Sequence, residues 1–151
     1  MDDRAAVERQ LGRPPRAFRR VVARCPFGCP AVTEQAPFDD RGTPFPTTFW
    51  LTCPFLVAAI SRLEAAGGVE SWTKRARRDG DLRRSLAGAE REQRALRPEL
   101  PVGIGGSSRP GSLKCLHAHA AFALARSGYE LGDRILAELP RMWPEDRCCT
   151  G

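Results

Sequence analysis

Length, composition and charge limit the classes of protein that this chain can belong to. Its 151 residues, of which 42% are hydrophobic and 7% aromatic, suit a single domain over residues 1–151 and exclude a disordered composition. No apolar run approaches the roughly 20 residues of a membrane-spanning helix, and the first ten residues are charged from the start, so we expect a cytoplasmic protein without a membrane contact. All but two of the 24 basic residues are arginine, and the net charge is +6. Because no nucleic-acid-binding motif accompanies this charge, we do not expect a nucleic-acid partner, whereas an acidic protein partner is open.

The first third of the chain predicts one short helix followed by three strands. Residues 4–12 have the pattern of an amphipathic helix that ends at Gly12. Residues 18–24, 31–35 and 47–52 are rich in β-branched and aromatic residues, and turns rich in proline and glycine separate them. We therefore predict a three-stranded antiparallel meander.

The remainder of the chain is predicted to be helical. One helix follows Pro54, and residues 71–97 carry nine basic against four acidic residues, which favours one or two surface helices interrupted around Gly80. Two further helices are predicted over 113–127 and 131–139. The fold class is therefore α+β, with a small antiparallel sheet of about three strands packed with three to five helices.

A loop rich in glycine, proline and serine interrupts the helical part over residues 101–111, and we expect it to be exposed and mobile. Its sequence lacks the lysine of a phosphate-binding P-loop, yet it precedes a helix whose N-terminus could hold an anion. The candidate anion-binding residues are Gly105, Gly106, Ser107, Arg109 and Lys114. From residue 140 onwards we expect an irregular tail.

Six cysteines are many for a cytoplasmic protein of this size, and disulfides are rare in that compartment. Antiparallel order places the ends of the first and third strands at the same end of the sheet, where Cys25 and Cys53 would lie. Cys115 begins a helix and Cys148 lies in the tail, so both can reach that end. These four thiolates, with His117 as a substitute ligand, would suit zinc or an iron–sulfur cluster. Buried thiols that act as small apolar groups, or a redox pair, are the alternatives.

Cys115 also belongs to a second candidate site. At a helix N-terminus its thiol could act as a nucleophile, with His117 as the base, in an enzyme acting on an anionic or phosphorylated small molecule. On a continuous helix, however, Cys115 shares a face with His119 rather than with His117, so helical spacing favours His119. If the helix starts near Cys115, its first turn can offer both Cys115 and His117 to one ion.

Several segments together are similar to a known family. They are VERQLGRPPR, CPFGCP, GTPFPTTFWLTCP, SRLEAAGGV and KCLHAHAAFALA, followed by a tail that ends in cysteines. This combination resembles the bacterial, mainly actinobacterial, domain-of-unknown-function family 501. The resemblance implies that Cys25, Cys115, His117 and one of the terminal cysteines occupy positions that recur in the family, and so favours His117 over His119. It implies no activity.

Three hypotheses for function follow from the sequence. The leading one is a metal-binding protein of regulatory or structural role, which uses zinc or an iron–sulfur cluster. The second is the small-molecule enzyme that uses Cys115 and His117. The third is a basic adaptor that binds an acidic protein or nucleic acid through residues 71–97.

Overall fold

A computed structural model describes residues 2–146 of the chain and confirms the α+β fold. In the described residues, a three-stranded antiparallel sheet packs with six α-helices and one 3-10 turn. The elements in chain order are α1 (Asp3–Leu11), β1 (Phe18–Arg24), β2 (Pro30–Gln35), β3 (Phe49–Leu51), α2 (Pro54–Ala65), α3 (Gly68–Arg78), α4 (Gly80–Leu96), the 3-10 turn (Ile104–Gly106), α5 (Leu116–Ala125) and α6 (Glu130–Ala137).

The three strands lie where the composition predicts them. The sheet has the order β1-β2-β3, and both neighbouring pairs are antiparallel. A tight turn joins β1 to β2, in which the N–H of Cys25 donates to the carbonyl of Cys29 at 3.0 Å. Gly28 makes this turn possible, because its φ of 84° lies in the left-handed region that glycine adopts without strain. The predicted meander is therefore confirmed.

The prediction of three to five helices is slightly too low. The charged segment divides at Asp79, whose backbone is extended and whose carboxylate accepts hydrogen bonds from the N–H groups of Asp81 and Leu82. This N-cap satisfies two N–H groups that would otherwise lack partners, so α4 begins as a new helix with only Asp79 between it and α3. Residues 68–96 therefore form two separate helices.

Helix α5 forms the centre of the core. All its alanines except Ala125 are buried, as is the ring of Phe122, and the helix packs against β3 and α6. The ring of Phe122 lies edge-on to the rings of Phe49 and Tyr129, with 5.5 Å between centroids in both pairs. Small alanine side chains let the neighbouring elements approach α5 closely, which places its N-terminus beside β3.

The loop over 101–111 is less exposed than its composition suggests. Ile104 and Ser107 are only 2% and 3% exposed, and the exposed part begins at residue 108. Ile104 is the apolar residue that inserts into the core, while Gly105 and Gly106 have positive φ values and turn the chain against α5. Residues 103, 104 and 107 are thus buried where exposure is expected, Gly105 and Gly106 are partly exposed, and the mobility of the loop stays a prediction. Among residues 2–146, none of the helices has the length and apolar character needed to cross a bilayer.

Candidate functional site

A cavity of about 270 Å³ lies between the segment that leads into β3 and the N-terminal turn of α5. Its wall is mostly aromatic and aliphatic, which suits an apolar ligand body. The rings of Phe45 and Trp50 pack together with 5.0 Å between their centroids. The lining residues are Phe45, Pro46, Thr47, Phe49, Trp50, Leu51, Cys115, His117 and Ala118.

A buried arginine fixes one wall of this cavity. Arg97 is 2% exposed, and its guanidinium donates to the backbone carbonyls of Phe45 and Gln35. Burial lowers the pKa of Arg97 to about 10, so the group stays charged at neutral pH. Its hydrogen bonds tie the cavity wall to the end of α4. Nothing in the sequence pattern marks Arg97, which follows a helix among many other arginines.

Cys115 stands at the N-cap of α5 and forms part of the cavity wall. Burial raises the pKa of its thiol, although the N–H groups of Ala118 and His117 oppose this effect. The thiol is therefore neutral at pH 7 and a weak nucleophile. Lys114, just before it, has a φ of 62°, which is unfavourable for a side chain with a Cβ and directs the chain sharply into α5.

The ammonium group of Lys114 lies at the rim of the cavity. A Cβ atom on Gly106 would be 2.8 Å from Cβ of Pro46 and 3.5 Å from Nζ of Lys114, so the turn, the cavity wall and the ammonium meet there. The ring of Trp50, which lines the cavity, also has the guanidinium of Arg13 at 5.9 Å from its centroid.

His117 connects α5 to α2. Its Nδ1 lies 3.2 Å from Oε2 of Glu64, and its Nε2 lies 3.1 Å from Oγ of Ser61 and 3.2 Å from the carbonyl oxygen of Val57. Oε2 of Glu64 also accepts the N–H of Leu116 at 2.7 Å, so this carboxylate caps α5 from a neighbouring helix. Both ring nitrogens of His117 therefore have their partners on α2, and neither of them is hydrogen-bonded to the thiol of Cys115.

His119 has a structural role. It is fully buried, its Nδ1 accepts from the hydroxyl of Tyr129 at 2.7 Å, and its Nε2–H donates to the carbonyl of Leu113 at 2.8 Å. Burial lowers the pKa of His119 to about 4, so the ring is neutral at pH 7. Of the two histidines, His117 is the one that lines the cavity.

The predicted metal ligands occupy two places. Cys25 and Cys53 both lie at the end of the sheet where β2 begins, since their N–H groups face the carbonyls of Cys29 and Ala31. Cys115 lies in the cavity wall. Cys148 falls outside the described residues. Within residues 2–146, no group of three or more His, Cys, Asp or Glu side chains is placed to hold a metal ion.

The predicted anion-binding residues are also divided. Gly105, Gly106 and Lys114 lie beside the cavity, where a Cβ on Gly105 would be 3.8 Å from Sγ of Cys115. Ser107 is buried instead, and its hydroxyl donates to the carbonyl of Arg109 at 3.0 Å, so it serves the fold of the loop itself. Arg109 is exposed.

Much of the positive charge of 71–97 is paired within the molecule. The guanidinium of Arg75 lies 3.8 Å from the ring centroid of Trp72 and 2.8 Å from a carboxylate oxygen of Glu138. Other ion pairs join Lys74 to Glu70, Arg84 to Asp81 and Arg94 to Glu90.

The fold and the cavity define a small α+β protein with a mostly apolar pocket beside a half-buried thiol. The family model "Protein of unknown function (DUF501)" matches residues 21–101, more than half of the chain, and the protein belongs to this family. The match includes the aromatic wall of the cavity and helix α2, and it ends before Cys115. Neither the curated proteins nor the solved structures include a match to the chain.

Proposed function

We propose that this protein binds a small anionic molecule with an apolar body in the cavity beside Cys115. The observation that carries the proposal is the aromatic cavity of about 270 Å³ with the ammonium of Lys114 at its rim. The apolar part of a ligand would lie against Phe49 and Trp50, and its carboxylate or phosphate would face Lys114. The cavity is slightly smaller than the roughly 300–1,000 Å³ common for ligand sites, so the ligand is small.

This proposal keeps one part of the enzyme hypothesis, the binding of an anionic small molecule, and does not include a reaction. A Cys115–His117 nucleophile pair is not favoured, because both nitrogens of His117 have partners on α2 and burial raises the pKa of the thiol. The role of Cys115 is therefore to contact the ligand. The proposed location is the cytoplasm, where such a thiol stays reduced.

Metal binding by Cys25, Cys53, Cys115 and Cys148 stays a prediction, as does an adaptor role of the charged segment. Elemental analysis and a visible spectrum of protein purified without oxygen test the first of these. Zinc or iron at one equivalent would support a metal centre, and less than a tenth of an equivalent would contradict it.

The binding proposal is tested with two probes that differ only in charge, 4-phenylbutanoate and 4-phenylbutan-1-ol. Isothermal titration calorimetry at low salt should show tighter binding of the carboxylate. Lys114→Gln should weaken binding of the carboxylate about threefold to fivefold, because an exposed ion pair contributes up to about 1 kcal/mol, and should leave the alcohol unchanged. Lys74→Gln, which alters the other lysine of the chain, is the control and should change neither. Equal binding of both probes, or equal effects of the two substitutions, would contradict the proposal.

A further inference from the structure

A second cavity, of about 280 Å³, lies on the other side of the Gly-rich loop between α3, α4 and residues 110–111. Its side walls are apolar. Two arginines and one carboxylate complete the lining, which consists of Ala76, Arg77, Arg83, Leu86, Ala87, Glu90, Pro110 and Gly111. None of these residues takes part in the site beside Cys115.

The carboxylate of Glu90 is buried, and its ion pair with Arg94 is a long one. Glu90 is 5% exposed, the N–H of Gly111 faces it, and its nearest cationic partner is Nη1 of Arg94, 3.9 Å from Oε2. That distance is too long for a hydrogen bond. Burial raises the pKa of Glu90, while Arg94 and the N–H of Gly111 lower it. Because Arg94 lies beyond hydrogen-bond distance, an ammonium group in this cavity would be a closer counter-charge for the carboxylate.

The opposite charge lies at the other end of the same cavity. Arg83 and Glu90 are seven residues apart on α4 and so face the same side, about 10 Å apart along the helix axis, with Leu86 and Ala87 between them. Arg83 is held in place because its Nη1 donates to the carbonyl of Arg77 at 2.9 Å. The guanidinium of Arg77 is exposed and has no ion pair among the described residues. The cavity therefore offers an inner carboxylate, an apolar middle and outer guanidinium groups.

We propose that this cavity binds a zwitterion, a molecule with a primary ammonium and a carboxylate joined by a short apolar chain. The ammonium pairs with Glu90, the methylene chain lies on Leu86 and Ala87, and the carboxylate faces Arg77 and Arg83. An ammonium at Glu90 adds a counter-charge closer than Arg94, and guanidinium groups suit a carboxylate because they offer paired donors. The separation of about 10 Å between Arg83 and Glu90 along α4 favours ω-amino acids. The two charges of an α-amino acid are too close together to reach both ends of the cavity.

Calorimetry with 6-aminohexanoate, hexanoate and hexylamine tests the proposal, since each of the last two lacks one charge. We expect 6-aminohexanoate to bind at least tenfold more tightly than either. Glu90→Gln keeps the shape of the side chain and removes its charge, and it should weaken binding of 6-aminohexanoate at least tenfold. Glu92→Gln is the matched control, because Glu92 lies on the same helix, pairs with Arg126 and does not line this cavity.

Three results would overturn the proposal. Hexanoate that binds as tightly as 6-aminohexanoate would mean that the arginines form a plain anion site. If Glu90→Gln binds 6-aminohexanoate with unchanged affinity, the carboxylate of Glu90 does not take part in binding. If 6-aminohexanoate shows no saturable binding, the cavity is not a binding site for a zwitterion of this kind. If Glu90→Gln does not fold, as judged by its circular dichroism, the comparison of the three probes on the unaltered protein decides the question.

Discussion

Replacement of Gly132 by alanine tests the packing that places α5 beside the cavity. A Cβ atom at this position would lie 2.6 Å from Cβ of Ala123, 2.7 Å from the carbonyl oxygen of His119 and 2.8 Å from Cδ2 of Tyr129. The first two atoms belong to a short side chain and to the backbone, so they cannot rotate away. Helices α5 and α6 would have to move apart.

The magnitude follows from two opposing effects. Overpacking of a core costs about 1–3 kcal/mol, while alanine gains up to about 1 kcal/mol over glycine inside a helix. With three contacts shorter than 3.0 Å, we expect the cost to exceed the gain, and the free energy of unfolding to fall by about 1–2 kcal/mol. Gly88→Ala is the matched control, because its Cβ would meet only a guanidinium nitrogen of Arg91 at 3.7 Å. This variant should gain about 0.5–1 kcal/mol.

Urea denaturation followed by circular dichroism measures both variants. The unfolding midpoint should decrease for Gly132→Ala and increase for Gly88→Ala, with unchanged slopes. If both variants gain stability, α5 and α6 are not in close contact at Gly132, and the argument for the position of α5 fails.

Three further predictions concern titratable groups. His119 has a pKa of about 4 in the folded protein and about 6.5 in the unfolded chain, so the unfolded state binds more protons between these pH values. The free energy of unfolding should therefore decrease as the pH falls from 6.5 to 4. If His119→Asn shows a decrease of the same slope, the effect does not come from His119. Glu64→Ala removes the carboxylate that caps α5 and contacts His117, so chemical denaturation should show that the free energy of unfolding falls by about 1–2 kcal/mol. A fall of less than about 0.3 kcal/mol would show that the cap does not stabilise the fold. Alkylation of Cys115 by iodoacetamide, mapped by mass spectrometry, should reach half its maximal rate at a higher pH in the folded protein than in urea, and the reverse order would contradict the effect of burial.

The local part of the fold could be predicted from the sequence, because strand composition, turn residues and helix breakers act over a few residues. The meander of β1 to β3 follows from such signals. The loop over 101–111 was predicted poorly because glycine and serine suggest exposure, whereas Ile104 decides the packing of the turn.

The candidate site was predictable only in part. Cys115 and His117 could be chosen from their residue types, and both line the cavity. Glu64 and Arg97 could not, because their roles depend on which helices meet in three dimensions. Glu64 is one charged residue among several in α2, and Arg97 follows α4 after many other arginines. Each gains its partner only when α5 lies against α2, or when Gln35 lies beside the end of α4.

Binding of 4-phenylbutanoate to a protein whose cavity has been filled tests the central claim most directly. Thr47 is half-buried in the cavity wall, so Thr47→Phe places a ring in the space that the ligand would occupy. Thr43→Phe, on the exposed segment that precedes the wall, is the control. The account predicts saturable binding to the unaltered protein and to Thr43→Phe in calorimetry, and at least tenfold weaker binding to Thr47→Phe. Saturable binding that is equally tight in all three proteins, or absent from all three, would contradict it.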